Sequence, residues 1–440
     1  MSREVVIEAT PFGLRAALLE DGRLLEVSMA EPGGRAPRGS VLLGRVRAID
    51  RDLAAAFVDC GASEDGWLGA RDARLLSSGG VRGARLERQL REGQAVLVQV
   101  RREAQGGKGP RLTGDVALSG PCLVYRPRRP GAGLAERPAA KGASAAELAA
   151  EAARLRRLWQ TIEDRAEAAQ PPALLHGPGE PVAWLLAEQL GADPERILIT
   201  DPATMVRARG YLETWRPALL ERLEHLPDAF AASGAEEQLA AALEPLAPLP
   251  GGGALIIQPT AALTAIDVDG GGRRALEVNL AAAGEVARQL RLRQLGGTIV
   301  VDFVDLAGVR ERQRLVQTLR RALADDPAPV EVFPMSALGL VEISRQRSVP
   351  SLAEQFGRSC PACGGSGLVP GVRRCCEGLM RELARRPAAR LCARVAPDLH
   401  AYLSGDGAAA WQAFGERSGI APALHSDPLL APGGYRIEDA

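Results

Sequence analysis

Apolar and polar residues alternate with a period of two through residues 4–27, interrupted by Asp21-Gly22. This predicts two strands joined by a hairpin turn. A Pro/Gly-rich break over 31–39 ends that unit. Short strand patterns follow at 41–49, 54–58, 67–68 and 95–100, and their regular separation by glycine predicts a small barrel. Leu148, Ala152, Leu155 and Leu158 repeat at helical spacing within 145–169. Beyond it, 182–190 reads as a helix, 196–201 as a strand, 202–223 as helices and 253–257 as a strand. These fit an α/β layer closing back on the N-terminal hairpin. Leu315, Val316, Leu319 and Leu323 mark one apolar helix face. Arg310, Arg312, Arg314, Arg320 and Arg321 crowd the same helix and read as its solvated face. After a helix at 377–386 and a strand at 391–395, the pattern to residue 440 carries little signal.

Two β-type runs in this pattern carry carboxylates: Leu263-Thr264-Ala265-Ile266-Asp267-Val268-Asp269 and Thr298-Ile299-Val300-Val301-Asp302-Phe303-Val304-Asp305. A carboxylate in a buried strand is costly unless it is paired or holds a metal. One helix-patterned segment joins the runs, so Asp267 and Asp302 can meet at neighbouring strand positions. Paired aspartates holding a divalent cation suit phosphoryl-transfer chemistry. Strand-end capping or pairing with arginine is the structural alternative. Hard oxygen ligands favour magnesium over zinc. The four histidines are scattered away from these runs, which gives little support to a histidine base. Asp269 falls on the same strand face as Asp267.

The 440 residues allow two to four domains, and the formal net charge is zero, so nucleic-acid affinity must come from local patches. Lys108 and Lys141 are the only lysines. Seven cysteines argue against a disulfide framework. No charged leader and no run of membrane-span length is evident, so the expected location is cytoplasmic. Cys360-Pro361-Ala362-Cys363-Gly364-Gly365-Ser366-Gly367 is a knuckle-type turn whose two thiolates bite one metal, while tetrahedral zinc needs four ligands. A redox pair, or completion by Cys375 and Cys376, are the alternatives. Cys60, Cys122 and Cys392 read as core. Gly106-Gly107-Lys108-Gly109-Pro110-Arg111-Leu112-Thr113 is a basic glycine-rich loop able to approach phosphate, though a solvated turn is the usual explanation.

The segment 279–306, Asn279-Leu280-Ala281-Ala282-Ala283-Gly284-Glu285 through Gly296-Gly297 and on to Leu306, resembles the catalytic core of the bacterial ribonuclease E/G endoribonucleases. So does Thr264-Ala265-Ile266-Asp267-Val268. Gly44-Arg45-Val46 with Ala55-Ala56-Phe57-Val58-Asp59 and Gly66-Trp67-Leu68 resembles an S1-type RNA-binding domain.

The resemblance implies a multidomain α/β (α+β) chain. A split RNase H-like layer (1–38 and 211–260) would carry an inserted S1/OB barrel (39–118). A reduced sensor-like region (119–210), a DNase I-like catalytic domain (261–355), a zinc-link (356–370) and a small C-terminal α/β domain (371–440) would complete it. It implies Mg²⁺ (or Mn²⁺) held by Asp267 and Asp302, and cleavage of single-stranded RNA to 5′-phosphate and 3′-hydroxyl ends. Phe57 and Trp67 would stack on bases, because every base has a π-face, and Lys108 would meet phosphate. Zn²⁺ would be shared by Cys360 and Cys363 of two protomers in a homodimer, with pairing into a tetramer open.

The chain departs from the family in places. Asp269 stands where the motif carries asparagine, the loop 270–278 is shorter, and an aromatic before Asn279 is missing. The glycine-rich Arg-Thr motif of the 5′-monophosphate sensor is absent, and Pro327-Ala328-Pro329 stands where a further arginine is expected, so 5′-end sensing is expected to be reduced. Two other readings therefore stay open: a catalytically inactive RNA-binding member of the family, and a zinc-bridged structural protein.

Overall fold

The computed structural model describes residues 2–30, 38–76, 86–104, 108–129, 131, 133–137, 140, 143–177, 181–189, 193–347, 349–358, 360–386, 391–420 and 423–439. The Pro/Gly-rich break at 31–37 and Gly106-Gly107 of the basic loop lie outside the described residues. The chain divides into two compact units, residues 1–355 and 356–440.

The N-terminal hairpin is a three-stranded meander, Arg3–Thr10, Gly13–Glu20 and Arg23–Ala30. The second turn is the predicted one, with Asp21 and Gly22 both at positive φ (48° and 75°), as a two-residue hairpin loop of primed type requires. The first turn, at Pro11-Phe12, has no such dipeptide. It is held by Thr10, whose hydroxyl donates to the Gly13 carbonyl and accepts from the Phe12 amide. Arg196–Ile199 then pairs parallel to Arg3–Thr10, and Leu223–His225 pairs parallel to Arg196–Ile199, giving a five-stranded sheet. Val182, Leu185, Leu186, Ala208 and Leu212 pack on it together with Val5, Ile7 and Leu18. Residues 181–189 and 193–225 therefore pack with the N-terminal layer.

Val41–Asp50, Ala55–Asp59, Gly66–Gly69, Arg111–Thr113 and Ala95–Arg102 form a closed five-stranded barrel, sealed by pairing of the first and last of these. Alternation places Val46, Ala56, Val58 and Leu68 in its core. The Ala173–His176 strand extends the sheet from Val41–Asp50. Three short strands, Leu118–Ser119, Leu123–Tyr125 and Leu134–Glu136, meet the Ala145–Ala168 helix. That helix opens with a capping box at Ser144 and Glu147. The arginines of this region serve the fold. Arg126 and Arg129 pair with Asp115, and Arg128 donates to the Leu97 and Gly114 carbonyls.

A six-stranded sheet runs in the order Leu246–Pro248, Ala254–Pro259, Thr264–Asp269, Gly297–Asp302, Leu340–Arg345, Val330–Val332. Its one parallel pair, Thr264–Asp269 with Gly297–Asp302, is bridged by the Ala275–Leu292 helix. One face packs on that helix and on Val309–Ala322 through Ile266, Val268, Ile299, Val301, Val286, Leu290, Leu315 and Leu319. Arg310, Arg314, Arg320 and Arg321 are exposed, as a solvated face requires. A buried bidentate pair, Arg345 with Asp326 (both bonds 2.9 Å), ties the Leu340–Arg345 strand to the loop before Pro327.

The second unit is a small α/β body: a three-stranded sheet of Ala423–Ser426, Leu391–Val395 and Tyr435–Asp439, with the Val372–Leu383, Pro397–Ser404 and Ala408–Ser418 helices. Leu379, Leu383, Val395 and Leu399 are its core.

Candidate active site and nucleic-acid interface

Asp267 and Asp302 are register partners across the parallel strand pair. Residues facing each other across neighbouring strands lie roughly 4.8 Å apart and point to the same side of the sheet. Ile266, Val268 and Val301 fill the opposite, buried face, so both carboxylates project from the open face. Both are exposed. This corrects the expectation of carboxylates in buried strands: the strands are buried on one side only. The pair stays free of arginine, since neither the Asp267 nor the Asp302 side chain forms an ion pair or a hydrogen bond among the described residues. No group of three or more His, Cys, Asp or Glu side chains placed to hold a metal occurs among the described residues.

Asp269 is on the same face but past the end of the parallel pairing, opposite Ala254. Its Oδ1 accepts the Gly271 amide at 3.0 Å and so shapes the shortened loop. Gly271 and Gly272 lie at positive φ (56° and 76°), which L side chains adopt only with strain. Asp269, grouped with the catalytic carboxylates from sequence, shares the face of Asp267 while its Oδ1 holds the adjoining loop.

Asn279 was missed as a site residue. It is fully buried in the first turns of the helix that joins the two strands. Its Nδ2 donates to the Val304 carbonyl at 2.7 Å, and its Oδ1 accepts the Val304 amide at 3.1 Å. This two-bond clamp fixes the segment that leaves Asp302, so it sets where that carboxylate can point. A buried asparagine in an otherwise apolar helix face is the signal that could have identified it.

Behind the site, Glu285 is 2 % exposed and accepts from Arg23 (2.5 Å), Arg288 (2.6 Å) and Gln289 (2.8 Å). Burial pushes its pKa up, but Arg288, Gln289 and Arg23 together outweigh that and hold it below the ordinary glutamate range. Gln289 in turn accepts from Arg293, whose Nη1 donates to the Glu244 carbonyl. Burial and the neighbouring Arg288 pull the Arg293 pKa down to about 10. The network joins the N-terminal meander to the helix that carries Asn279.

On the barrel, Phe57 and Trp67 are register partners on the outer face, both half-buried. Phe57 lies outside the cluster that forms the barrel core. The Arg111 guanidinium lies 4.6 Å from the Trp67 ring centroid. A Cβ at Gly69 would come within 2.6 Å of the Trp67 ring, so glycine there gives the indole its seat. Lys108 is exposed.

In the second unit Cys360 is exposed and Cys363 half-buried. Amides of Gly367 and Gly365, then the Cys360 thiol, hold the Cys363 thiol below the ordinary cysteine range. Cys376 is buried in the core of this unit, and burial raises the thiols of both Cys375 and Cys376. Completion of one metal site by Cys375 and Cys376 is therefore not assembled among the described residues. Cys60 and Cys122 are buried as expected, but Cys392 is only half-buried; all seven thiols are free.

The pattern of the ribonuclease E/G family matches residues 123–348, and the chain belongs to that family. It is 32% identical over 413 residues to ribonuclease E of Haemophilus influenzae and 33% identical over 414 residues to ribonuclease E of Escherichia coli. Those alignments take in 84% of this chain but only 44% and 39% of the relatives, so the chain spans less than half their length. Against ribonuclease G of Escherichia coli it is 31% identical over 431 residues, 88% of each chain.

Proposed function

We propose that this protein is a Mg²⁺-dependent endoribonuclease that cuts single-stranded RNA to 5′-phosphate and 3′-hydroxyl ends during RNA processing or decay. The observation that carries the reading is the register pairing of Asp267 with Asp302 on an open face, with no arginine to neutralise either among the described residues. Two adjacent carboxylates repel a phosphodiester unless a cation lies between, and hard oxygen donors suit magnesium. Bound there, Mg²⁺ supplies charge neutralisation of the scissile phosphate and a lowered pKa for attacking water. The chain's own part is orientation: Asn279 holds the backbone beyond Asp302, and Asp269 holds the glycine loop beyond Asp267. Phe57 and Trp67 offer stacking faces, with Lys108 on the same barrel.

The order of the N-terminal sheet supports an RNase H-like layer, and the carboxylate sheet a DNase I-like domain. Cys360 and Cys363, with only two ligands per chain, support Zn²⁺ shared by two protomers of a homodimer. None of the helices described is long and apolar enough to cross a membrane, and we place the reaction in the cytoplasm. The reduced sensor region supports weak 5′-end sensing.

A fluorescent single-stranded oligoribonucleotide, incubated with wild type and Asp302→Asn with and without Mg²⁺, tests the reading. Mg²⁺-dependent fragments from wild type alone, with binding kept in the variant, support it. Undiminished cutting by Asp302→Asn would refute the site. A second reading, an inactive RNA-binding member, is favoured by the extra negative charge of Asp269; it predicts a shifted but intact RNA.

A further inference from the structure

The barrel meets the segment after the Leu340–Arg345 strand at a cleft of about 290 Å³, lined by Arg38, Arg101, Arg102, Arg111, Arg347 and Asp72, with Gln346 completing the wall. Five guanidiniums thus face one carboxylate. Arg101 is taken by Asp72 at 3.2 Å, and Arg347 lies 3.6 Å from Glu354. Arg102 donates to the Arg347 carbonyl at 3.1 Å, which fixes the two walls together. Arg38, Arg102 and Arg111 form no ion pair among the described residues, although Glu354, beside Arg347, also attracts Arg102. In a chain with zero net charge this excess is local. Like-charged guanidiniums gathered in a cleft repel one another and focus a positive potential, which an anion relieves. Their planar forks match phosphate oxygens.

Arg111 joins this cleft to the stacking surface, since it lines the cleft and also lies over Trp67. A nucleotide whose base lies at Trp67 therefore has a phosphate within reach of the cleft. The cleft is distinct from Lys108 and from the Asp267/Asp302 pair, neither of which lines it. We propose that the Arg38/Arg101/Arg102/Arg111/Arg347 cleft is a phosphate-binding subsite that grips RNA beside the base at Trp67. This rests on the RNA-binding reading above.

The test is fluorescence anisotropy with single-stranded oligoribonucleotides in EDTA over a range of salt, on the full chain. The variants are Arg111→Gln, Arg347→Gln and their double. The exposed Arg156→Gln on the Ala145–Ala168 helix removes the same charge elsewhere. Each guanidinium removed from the cleft is expected to weaken binding about tenfold. The slope of log K against log salt should fall by about 0.7 for each phosphate no longer neutralised. Arg156→Gln should do neither, and Asp72→Asn, which frees Arg101, should tighten binding. Oligonucleotides with a 5′-monophosphate and a 5′-hydroxyl separate the two sources of phosphate. Equal weakening of both means an internal diester, and selective weakening of the first means the terminal group. If wild type binds RNA while the cleft variants match Arg156→Gln, the subsite is overturned and the RNA-binding reading stands. If wild type fails to bind RNA, both fall.

Discussion

Asn279 shows how one residue couples the fold to the candidate chemistry. Both of its side-chain groups are spent on the Val304 peptide, so Asn279→Ala strands the amide and carbonyl of the half-buried Val304. The expected loss is about 1–3 kcal/mol for each group left unsatisfied, read by urea unfolding, together with reduced cleavage at unchanged RNA affinity. Asp302→Asn should behave in the opposite way. The side chain is exposed and has no partner among the described residues, so the unfolding midpoint should stay put. Cleavage should fall by more than about 100-fold, since even outer-shell partners of a metal ligand are worth 10–100-fold. Gly69→Ala drives a methyl into the Trp67 ring. It should weaken RNA binding by about 1–3 kcal/mol, the worth of one stacked base, with Mg²⁺-dependent chemistry on saturating substrate preserved.

Among the elements, those with clean alternation and glycine or aspartate punctuation were readable from sequence. Four of the barrel strands, the Ala145–Ala168 helix and the helix between the aspartate strands lie within a residue or a few of their expected positions, whereas Arg111–Thr113, read as part of a loop, is the fifth barrel strand. The turn at Pro11-Phe12 was not, because a threonine side chain holds it and no positive-φ dipeptide marks it. The pairing of Asp267 with Asp302 follows from two carboxylates in β runs joined by one helix. Their exposure does not, because apolar neighbours in sequence say only that one face of a strand is covered. The arginine cleft escaped sequence reading because its residues, at 38, 72, 101, 102, 111 and 347, meet only through the fold. The Glu285 network makes a prediction at this scale. Glu285→Ala leaves Arg288 and Arg23 without their buried acceptor and should cost about 3–5 kcal/mol. Because the folded pKa of Glu285 is depressed, its contribution is fully present above the unfolded value, about 4.3. It is lost as pH falls through the folded value. Unfolding midpoints of wild type and Glu285→Gln measured from neutral to acid pH should therefore draw together as the pH falls below about 4.3.

For the molecule as a whole, the zinc reading concerns assembly. Two thiols per chain at Cys360 and Cys363 call for a second chain to complete four ligands. Light scattering should report a dimer with half an equivalent of zinc, and a chelator or Cys360→Ser should halve the mass while each protomer keeps its secondary structure. A dimer indifferent to both would remove the shared metal from the account.

The N-terminal meander ends at Ala30, yet its parallel neighbour is Arg196–Ile199. During translation the first strands thus emerge with one edge bare until the barrel and the long helix have followed. At about 5–20 residues per second that wait is on the order of 10–30 s. The barrel, whose pairings all fall within 41–113, can close in the meantime. The nascent protein should therefore acquire the barrel surface that carries Phe57 and Trp67 before its own first sheet is finished, and a ribosome stalled past the barrel would display that surface alone.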